Sequence, residues 1–391
     1  MQRIGNEERR ARLARRHCLA AASRAATPLE AANALVALHS TDPATVFLST
    51  RARVRDFEVR QLEAALYEDR TLVRMLAMRR TLWVVPRELA AVVHAAATQA
   101  VAERERQRLE GFVAQSELTE DPAQWLEELS ALALRAVEAR GEAFTSDVTR
   151  AEPRLATKIL LGAGTRWEIA PSAASRILPL LAAEGMLARG RPRTTWTNGQ
   201  YRWVPMRAWL RSELERLDPA VARAELLRRW LYAFGPATET DIRWWTGWTA
   251  RDTRAALGAV PHAVVELDDG AGLALADDLE PTEPPERWAA LLPTLDPTTM
   301  GWKEREWYLG PHASVLFDTN GNAGPTVWWD GQVVGGWSQR SSGEIVFELL
   351  EDVGRDAVAA IEAEAARLQQ WLGDVRFSPS FLPPFQRALA S

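Results

Sequence analysis

One short polar segment, HSTDP at residues 39–43, follows an apolar run and contains residue types suited to chemistry. His39 titrates near neutral pH and can orient or deprotonate a water molecule, while a nearby carboxylate such as Asp42 can stabilise positive charge. The same residues suit a simpler role, because Ser, Thr and Asp before a proline commonly end one helix and cap the next. The spacing alone leaves both interpretations open, a catalytic cleft and a helix-ending turn.

Two groups of arginines are candidates for contacts with phosphate. Arg79 and Arg80 directly precede TLWVV, which predicts a short strand. The segment ARGRPRTTWTNGQYRW predicts a β-hairpin with a turn at Asn198-Gly199. Its candidate DNA contacts are Arg189, Arg191, Arg193 and Arg202. Either group could neutralise the charge of a nucleic-acid backbone, or could form structural ion pairs and an ordinary solvated hairpin.

Other common kinds of site have little support in the sequence. The single cysteine, Cys18, leaves no thiolate cluster for zinc. The segment ILLGAGTRW contains glycines but lacks the Gly-Lys-Ser/Thr ending and the preceding strand of a phosphate-binding loop. The 17 tryptophans are expected mainly in the core or in cross-strand pairs. The sequence therefore predicts no metal site and no cofactor.

The elements that must position these residues are mainly helical in the first half of the chain. A helix is predicted over Arg9–Arg24, and a second begins with Thr27 as the N-cap, Pro28 and Glu30, then runs into the HSTDP segment. Phe57–Glu68 has the spacing of an amphipathic helix, and residues 87–140 are rich in helix-forming types. Residues 1–140 are expected to form an N-terminal helical or winged-helix unit.

Two later segments have the outline of a winged helix. Residues 141–220 combine helix-turn-helix spacing with the Asn198-Gly199 hairpin, and residues 221–276 repeat the order of helices followed by a strand. A linker rich in Pro, Glu and Asp follows. Residues 287–391 show short strands cut by Asp-Gly and Asn-Gly turns, then a closing helix. The expected fold is α+β and mainly α, with tandem winged-helix units and a C-terminal β-barrel-like region.

The composition and the charge indicate which classes of protein the chain can belong to. The chain has 391 residues and a net charge of −5, and all but two of its 47 basic residues are arginines, as a GC-rich genome would favour. A negative net charge still allows a locally basic face for nucleic acid. No apolar run reaches the roughly 18 residues of a membrane span, and the charged N-terminus lacks the apolar stretch of a signal peptide. A cytoplasmic protein with no membrane partner is predicted.

Several segments together resemble the AlkZ-like/YcaQ family of winged-helix DNA glycosylases. They are, in chain order, LVALHSTDPATVFLSTRARV, VRMLAMRRTLWVV, GMLARGRPRTTWTNGQYRW, AFGPATETDIRWWTG, LLPTLDP and WWDGQVVGGW. The resemblance implies a cradle of tandem winged-helix units and a β-barrel-like region that holds duplex DNA. Members of the family excise bulky or crosslinking N-alkylpurine adducts, and some protect antibiotic producers from their own genotoxins.

The resemblance also assigns the site. The family's catalytic signature is Gln-apolar-Gln, with His at the first place or Asp at the last in variants. It implies catalytic roles for His39 and Thr41, with Ser40 between them in place of an apolar residue; Asp42 could supply the missing polar function. Neither of the two lysines is close to this segment in the sequence, which disfavours a Schiff-base mechanism.

The predicted function is therefore hydrolysis of the N-glycosidic bond of bulky N7- or N3-alkylated purines in duplex DNA by a monomeric, monofunctional DNA glycosylase. A role in self-resistance to a genotoxic natural product is part of that prediction. The alternative is a non-catalytic winged-helix regulator or damage sensor. Regulators of this kind usually dimerise on palindromic half-sites, so a monomer would favour the enzyme.

Overall fold

Aspartate or threonine followed by proline begins four of the helices. The side chains of Thr27, Asp42, Asp121 and Asp218 each accept a hydrogen bond from a backbone N–H in the first turn, and a proline follows each of them. These side chains satisfy donors that a helix start leaves unpaired, while proline's fixed φ suits the first helical position. The cap predicted at Thr27 is thus present.

The computed structural model describes residues 1–391, and helices predominate in it. The α-helices are α1 (Asn6–Arg16), α2 (Pro28–Ala34), α3 (Pro43–Arg51), α4 (Val59–Glu63), α5 (Ala90–Val93), α6 (Gln99–Gln115), α7 (Pro122–Glu138), α8 (Thr145–Ala151), α9 (Ala174–Ala183), α10 (Met206–Leu210), α11 (Pro219–Phe234), α12 (Glu239–Thr246), α13 (Ala250–Ala259), α14 (Glu306–Leu309), α15 (Ala313–Leu316), α16 (Arg355–Leu372) and α17 (Pro384–Leu389). No helix is both long enough and apolar enough to cross a bilayer.

Four small antiparallel sheets complete the secondary structure. The strands are β1 (Leu38–His39), β2 (Leu72–Leu76), β3 (Leu82–Pro86), β4 (Leu187–Pro192), β5 (Tyr201–Pro205), β6 (His262–Leu267), β7 (Gly270–Leu275), β8 (Ala289–Leu292), β9 (Thr326–Trp329), β10 (Gln332–Gln339) and β11 (Ile345–Leu349). They form the sheets β1-β3-β2, β4-β5, β6-β7 and β11-β10-β9-β8.

One order of elements recurs three times: a helix, a short strand or bridge, two further helices and a β-hairpin. In each repeat the short strand pairs with the second strand of the hairpin. The pairs are His39 with Trp83, Ala143 with Trp203, and Ala237 with Leu273. This is the element order of a winged helix. The first repeat places the HSTDP segment between its short strand β1 and its second helix α3.

The C-terminal region corrects one expectation. Its four strands form an open sheet whose edge strands, β8 and β11, do not pair with each other, so the sheet is not closed into a barrel. Helix α16 packs against β8, β9 and β11. The segment SVLF, residues 314–317, lies in the region predicted to form short strands but contains most of helix α15. A helix packed on one face lets a small open sheet bury its apolar side without closing on itself.

Two large hydrophobic cores lie within the chain. The larger joins 76 buried residues from helix α1, all three repeats and the C-terminal region. The second joins 20 buried residues, from Leu109 to Trp203. The boundaries at 140, 220 and 276 stay predictions, because the larger core crosses them without a break.

Two helix ends differ from expectation. Helix α1 ends at Arg16, well before Arg24, and Cys18 just beyond it has a φ of 56°. Helix α2 ends at Ala34, where Val36 with a φ of 65° turns the chain into strand β1. A left-handed backbone angle at a β-branched residue is rare and stops a helix. The apolar run before HSTDP is therefore largely a turn and a strand.

Candidate active site

Strand β1 attaches the HSTDP segment to one end of the three-stranded sheet. His39 lies opposite Trp83 on β3, and the backbone N–H of Ser40 donates to the carbonyl of Leu82 at 2.8 Å. The hydroxyl of Thr41 accepts from the N–H of Leu82 at 3.1 Å. These bonds place the segment beside the tight turn, residues 77–81, that joins β2 to β3 and contains two of the candidate arginines.

His39 is buried and uncharged. It is 4% exposed and packs edge-on against Trp83 with the ring centroids 4.7 Å apart. Burial, together with the charge of Arg79, lowers the pKa of His39 to about 3, although the charge of Asp296 acts in the opposite sense. The backbone N–H of Thr41 points to Nδ1 at 3.4 Å, which assigns the ring proton to Nε2. The Nε2–H has no acceptor within the protein and can hold a water molecule.

The next two residues have different surroundings. Ser40 is fully buried, and its hydroxyl accepts a hydrogen bond from Nε of Arg74 at 2.7 Å, which ties the segment to the core. The guanidinium of Arg74 also donates to the hydroxyl of Tyr67 and lies 4.3 Å from the ring centroid of Tyr201. Thr41 is half-buried, and its own O–H proton remains available to an acceptor outside the protein.

The geometry of Asp42 favours the capping interpretation. Its Oδ1 accepts from the N–H groups of Ala44 and Thr45 at 3.0 and 3.3 Å, at the start of α3. Its Oδ2 accepts from the N–H of Ser380 at 2.8 Å, which ties the C-terminal segment to this helix. Both carboxylate oxygens therefore have partners, and the side chain is 2% exposed. A catalytic role for Asp42 stays a prediction.

A buried ion pair fixes helix α3, which begins within the HSTDP segment, to the C-terminal region. Arg53, just beyond α3, donates to both carboxylate oxygens of Asp296 at 2.9 and 2.7 Å, and Ser49 on α3 donates to the same carboxylate at 2.6 Å. Burial by itself raises the pKa of Asp296, but the charge of Arg53 and the hydrogen bonds bring that pKa below its ordinary range. The pair joins α3 to the LLPTLDP segment after β8.

Arg79 extends from the 77–81 turn towards the C-terminal region. Its guanidinium lies 3.9 Å from the ring centroid of Trp244 on α12, and that of Arg305 lies 4.9 Å from the same centroid. Neither arginine forms an ion pair with a carboxylate. Burial lowers the pKa of Arg79 to about 10, with a further contribution from the charge of Arg305. Because neither guanidinium has a carboxylate partner, this group of Arg79, Arg305 and Trp244 near His39, here called the Arg79 cluster, attracts an anion.

Arg80 points the other way and forms an ion pair with Glu105 on α6. Arg79 and Arg80 have φ values of 55° and 60°, two successive left-handed residues that are not glycine. Each such residue costs about 1 kcal/mol or more, and such strain is concentrated at functional sites. The strained turn separates the two side chains, one towards Trp244 and one towards α6.

The predicted wing, β4–β5, is packed against the protein. Arg189 is half-buried with its guanidinium 4.6 Å from the ring centroid of Trp203, and desolvation lowers its pKa to about 10. Arg191 forms ion pairs with Glu68 at 2.7 Å and Glu63 at 3.6 Å. The hairpin strand that carries both arginines packs on β2.

The remaining hairpin arginines are also engaged. Arg193 donates to the side chain of Gln200 at 3.0 Å and lies 4.0 Å from the ring centroid of Phe144. Arg202 forms an ion pair with Glu142. Every arginine of the hairpin thus has a partner inside the protein, which favours the structural interpretation over a DNA-contacting wing.

The sequence did not indicate Trp244, Arg305 or Asp296 as site residues. Arg305 and Arg79 are 226 positions apart, and no local pattern connects them. Lys303 and Arg305 both line one surface groove, and Lys303 is far from HSTDP in the sequence. The only sequence signal would have been the alternation of unpaired arginines with aromatic residues. That signal does not single out these positions, because the chain has many arginines and tryptophans.

Comparisons with known proteins agree with this arrangement. The family model "DNA glycosylase AlkZ-like" matches residues 32–371. The structure is similar to the Streptomyces sahachiroi DNA glycosylase AlkZ, with a TM-score of 0.74 and 20% identity over 96% of this chain and 99% of that one. A search of curated protein sequences gave no significant match. At this identity the structural likeness establishes the fold, and the family match covers most of the chain. This protein therefore belongs to the AlkZ-like family of DNA glycosylases.

Proposed function

We propose that this protein hydrolyses the N-glycosidic bond of bulky N7- or N3-alkylated purines in duplex DNA, with His39 as the central catalytic residue. The observation that carries the proposal is the position of a neutral, buried histidine with an unpaired Nε2–H beside the Arg79 cluster. The cluster can bind the phosphate backbone while His39 faces the sugar. Thr41 supplies a hydroxyl group at the same edge of the sheet.

The reaction requires few catalytic groups from the protein. An alkyl group at N7 or N3 makes the purine cationic, so the base is already a good leaving group. The protein must bind the distorted duplex, stabilise an oxocarbenium-like sugar and hold water at the reacting carbon. With a pKa of about 3, His39 is a poor base at neutral pH, so its role is to orient water through Nε2–H rather than to deprotonate it.

The alternative function, a DNA-binding regulator, has weaker support. Such proteins read base edges with an exposed recognition helix in the major groove. In the second repeat the corresponding helix, α9, buries seven of its ten residues against the rest of the protein. Its other three residues are only half-buried, so the helix does not present the exposed row of side chains that reads base edges.

The family resemblance supports three finer proposals. The adducts are those of a genotoxic natural product, the protein acts as a monomer, and it works in the cytoplasm on the nucleoid. Light scattering tests the second of these, because a stable dimer would contradict it and favour the regulator.

The direct test is incubation with duplexes that carry N7-alkylguanine of increasing bulk. We expect an intact abasic strand that breaks only after heat or base, and faster release for bulky adducts than for a methyl group. Borohydride should trap no protein–DNA adduct, because only an imine intermediate is reducible in this way. A trapped adduct would overturn the monofunctional mechanism and would implicate Lys303, which borders the groove.

Binding should depend on the Arg79 cluster more than on the hairpin. We expect Arg79→Ala and Arg305→Ala each to reduce the slope of log affinity against log salt by about 0.9, the value for one lost phosphate contact. Arg191→Ala is the matched control, since Arg191 is already paired with Glu68 and Glu63. Titrations of a fluorescent duplex at several salt concentrations measure the slopes. An unchanged slope for Arg79→Ala with a reduced one for Arg191→Ala would reverse the assignment.

A further inference from the structure

Trp167 is the one exposed tryptophan among the 17 in the chain. Its side chain is 71% exposed, whereas the other tryptophans are buried or half-buried. Ile169, two residues further on, is 52% exposed. Both belong to the segment ILLGAGTRWEI, which has no role in the site described above. Exposed aromatic rings mark surfaces that are covered when a partner binds.

The segment is an ordered hairpin inserted between α8 and α9, residues 157–173, here called the Trp167 hairpin. Leu161 and Ile169 exchange two backbone hydrogen bonds of 2.9 and 3.1 Å. Gly162 and Gly164 have φ values of 67° and 72°, which the turn requires and other residues rarely adopt. The N–H of Gly164 donates to the carboxylate of Glu168 at 2.8 Å. The turn is therefore built to hold Trp167 outwards.

The surroundings of the hairpin are positively charged. Arg166 lies 4.7 Å from the ring centroid of Trp167, and the hairpin borders an apolar groove that also contains Arg108 and Arg176. None of these three arginines forms an ion pair, and Nε of Arg176 is buried with no hydrogen-bond partner. An aromatic ring surrounded by unpaired arginines suits a ligand that is a polyanion and whose repeating units have flat aromatic faces for stacking. Nucleic acid has this chemistry.

The groove leads back to the candidate active site. Its walls include Leu76, the last residue of β2, and Arg80 from the 77–81 turn. Arg80 adjoins Arg79, and the same end of the sheet carries His39. The Arg79 cluster and the Trp167 hairpin therefore lie on opposite sides of the strained turn.

We infer that Trp167 stacks on a base or inserts at a base-pair step beside the lesion, while Arg108, Arg166 and Arg176 contact the flanking phosphates. Apolar wedges of this kind unstack a step and bend the duplex, which exposes the damaged nucleotide to the site. The inference rests on the proposed function in that duplex DNA is the ligand. It adds a second contact region, on the α6 and α9 side of the sheet.

Binding of Trp167→Ala to a fluorescent duplex tests the inference independently of excision. The duplex carries a stable abasic analogue and 2-aminopurine beside it. We expect the Kd to rise roughly 5- to 150-fold, the range for one lost base stack. Trp167→Phe should stay within about threefold of the unaltered protein. Val264→Ala, which removes another exposed apolar side chain, 53% exposed on β6, is the control and should bind normally.

The 2-aminopurine signal gives the second readout. With all protein variants at saturation, the unaltered protein should change the fluorescence by unstacking the probe, and Trp167→Ala should not. Unchanged affinity and unchanged fluorescence for Trp167→Ala would overturn the inference and leave the exposed ring to a protein partner. If binding depends on Trp167 but no adduct is released by any variant, the glycosylase proposal fails alone. If Trp167→Ala binds and unstacks the probe as the unaltered protein does, and adducts are still released, the inference fails alone.

Discussion

We expect His39→Ala to lower the single-turnover rate of adduct excision by roughly 10²- to 10⁴-fold, the usual range for a positioned acid–base group. The loss is expected because the substitution removes the Nε2–H that we propose orients the water molecule. The measurement is the rate of abasic-site formation with protein in excess over a duplex that carries a bulky N7-alkylguanine. DNA affinity, measured on an undamaged duplex, should change little.

Stability needs a separate control, because His39 is buried against Trp83 and its loss removes an aromatic contact. We expect His39→Ala to cost about 1 to 2 kcal/mol of unfolding free energy. His39→Gln keeps an N–H donor and matches the first residue of the family's usual signature, so it should retain much more activity than alanine. Excision that falls only in proportion to the unfolded fraction would mean that His39 has a structural role.

The pH profile separates orientation of water from general-base catalysis. The pKa of His39 is lowered from 6.5 to about 3, so the folded protein holds the ring neutral throughout the range from pH 5 to 8. Excision should therefore show no inflection near pH 6.5 from this residue. Between pH 6.5 and 3 the unfolded chain binds a proton that the folded protein does not, so stability falls as the pH falls. An activity inflection near pH 6.5 that disappears in His39→Gln would show that His39 acts as a base.

The largest loss of stability is expected from Asp296→Ala. Arg53 and Asp296 are both fully buried, and removal of the carboxylate leaves the guanidinium without its counter-charge in the core. Breaking one partner of such a pair typically costs about 3 to 5 kcal/mol. Urea unfolding followed by circular dichroism measures this cost. Helix α3 begins beside the HSTDP segment, so excision should fall together with the folded fraction.

The control for this prediction is an exposed ion pair. Arg340 and Glu344 lie 2.8 Å apart and are about half exposed, and Arg340→Ala should change stability by less than about 1 kcal/mol. Asp296→Asn keeps the shape of the side chain and should fall between the two. If Asp296→Ala unfolds no more easily than Arg340→Ala, the buried pair is not what holds α3 to the segment after β8.

Local signals predicted much of the secondary structure. The Thr27 cap, the helices within residues 87–140, the strand TLWVV and the hairpin around Asp330-Gly331 are all present. These features depend on neighbours a few residues apart, so a single sequence contains the information. The open C-terminal sheet and the early end of α2 were not predictable in this way, because packing against distant elements decides them.

The sequence by itself determined the family, through the order of several weak motifs, and it singled out His39 as the residue for chemistry. Only the tertiary structure decided the protonation state and the contacts of each side chain. Burial makes His39 neutral, the start of α3 and the backbone of Ser380 occupy the two oxygens of Asp42, and ion pairs and close contacts within the protein engage the hairpin arginines. Arg305 comes to Arg79 from 226 positions away. Protonation and charge pairing depend on the three-dimensional surroundings of a group, and those surroundings come from parts of the chain that no local pattern connects.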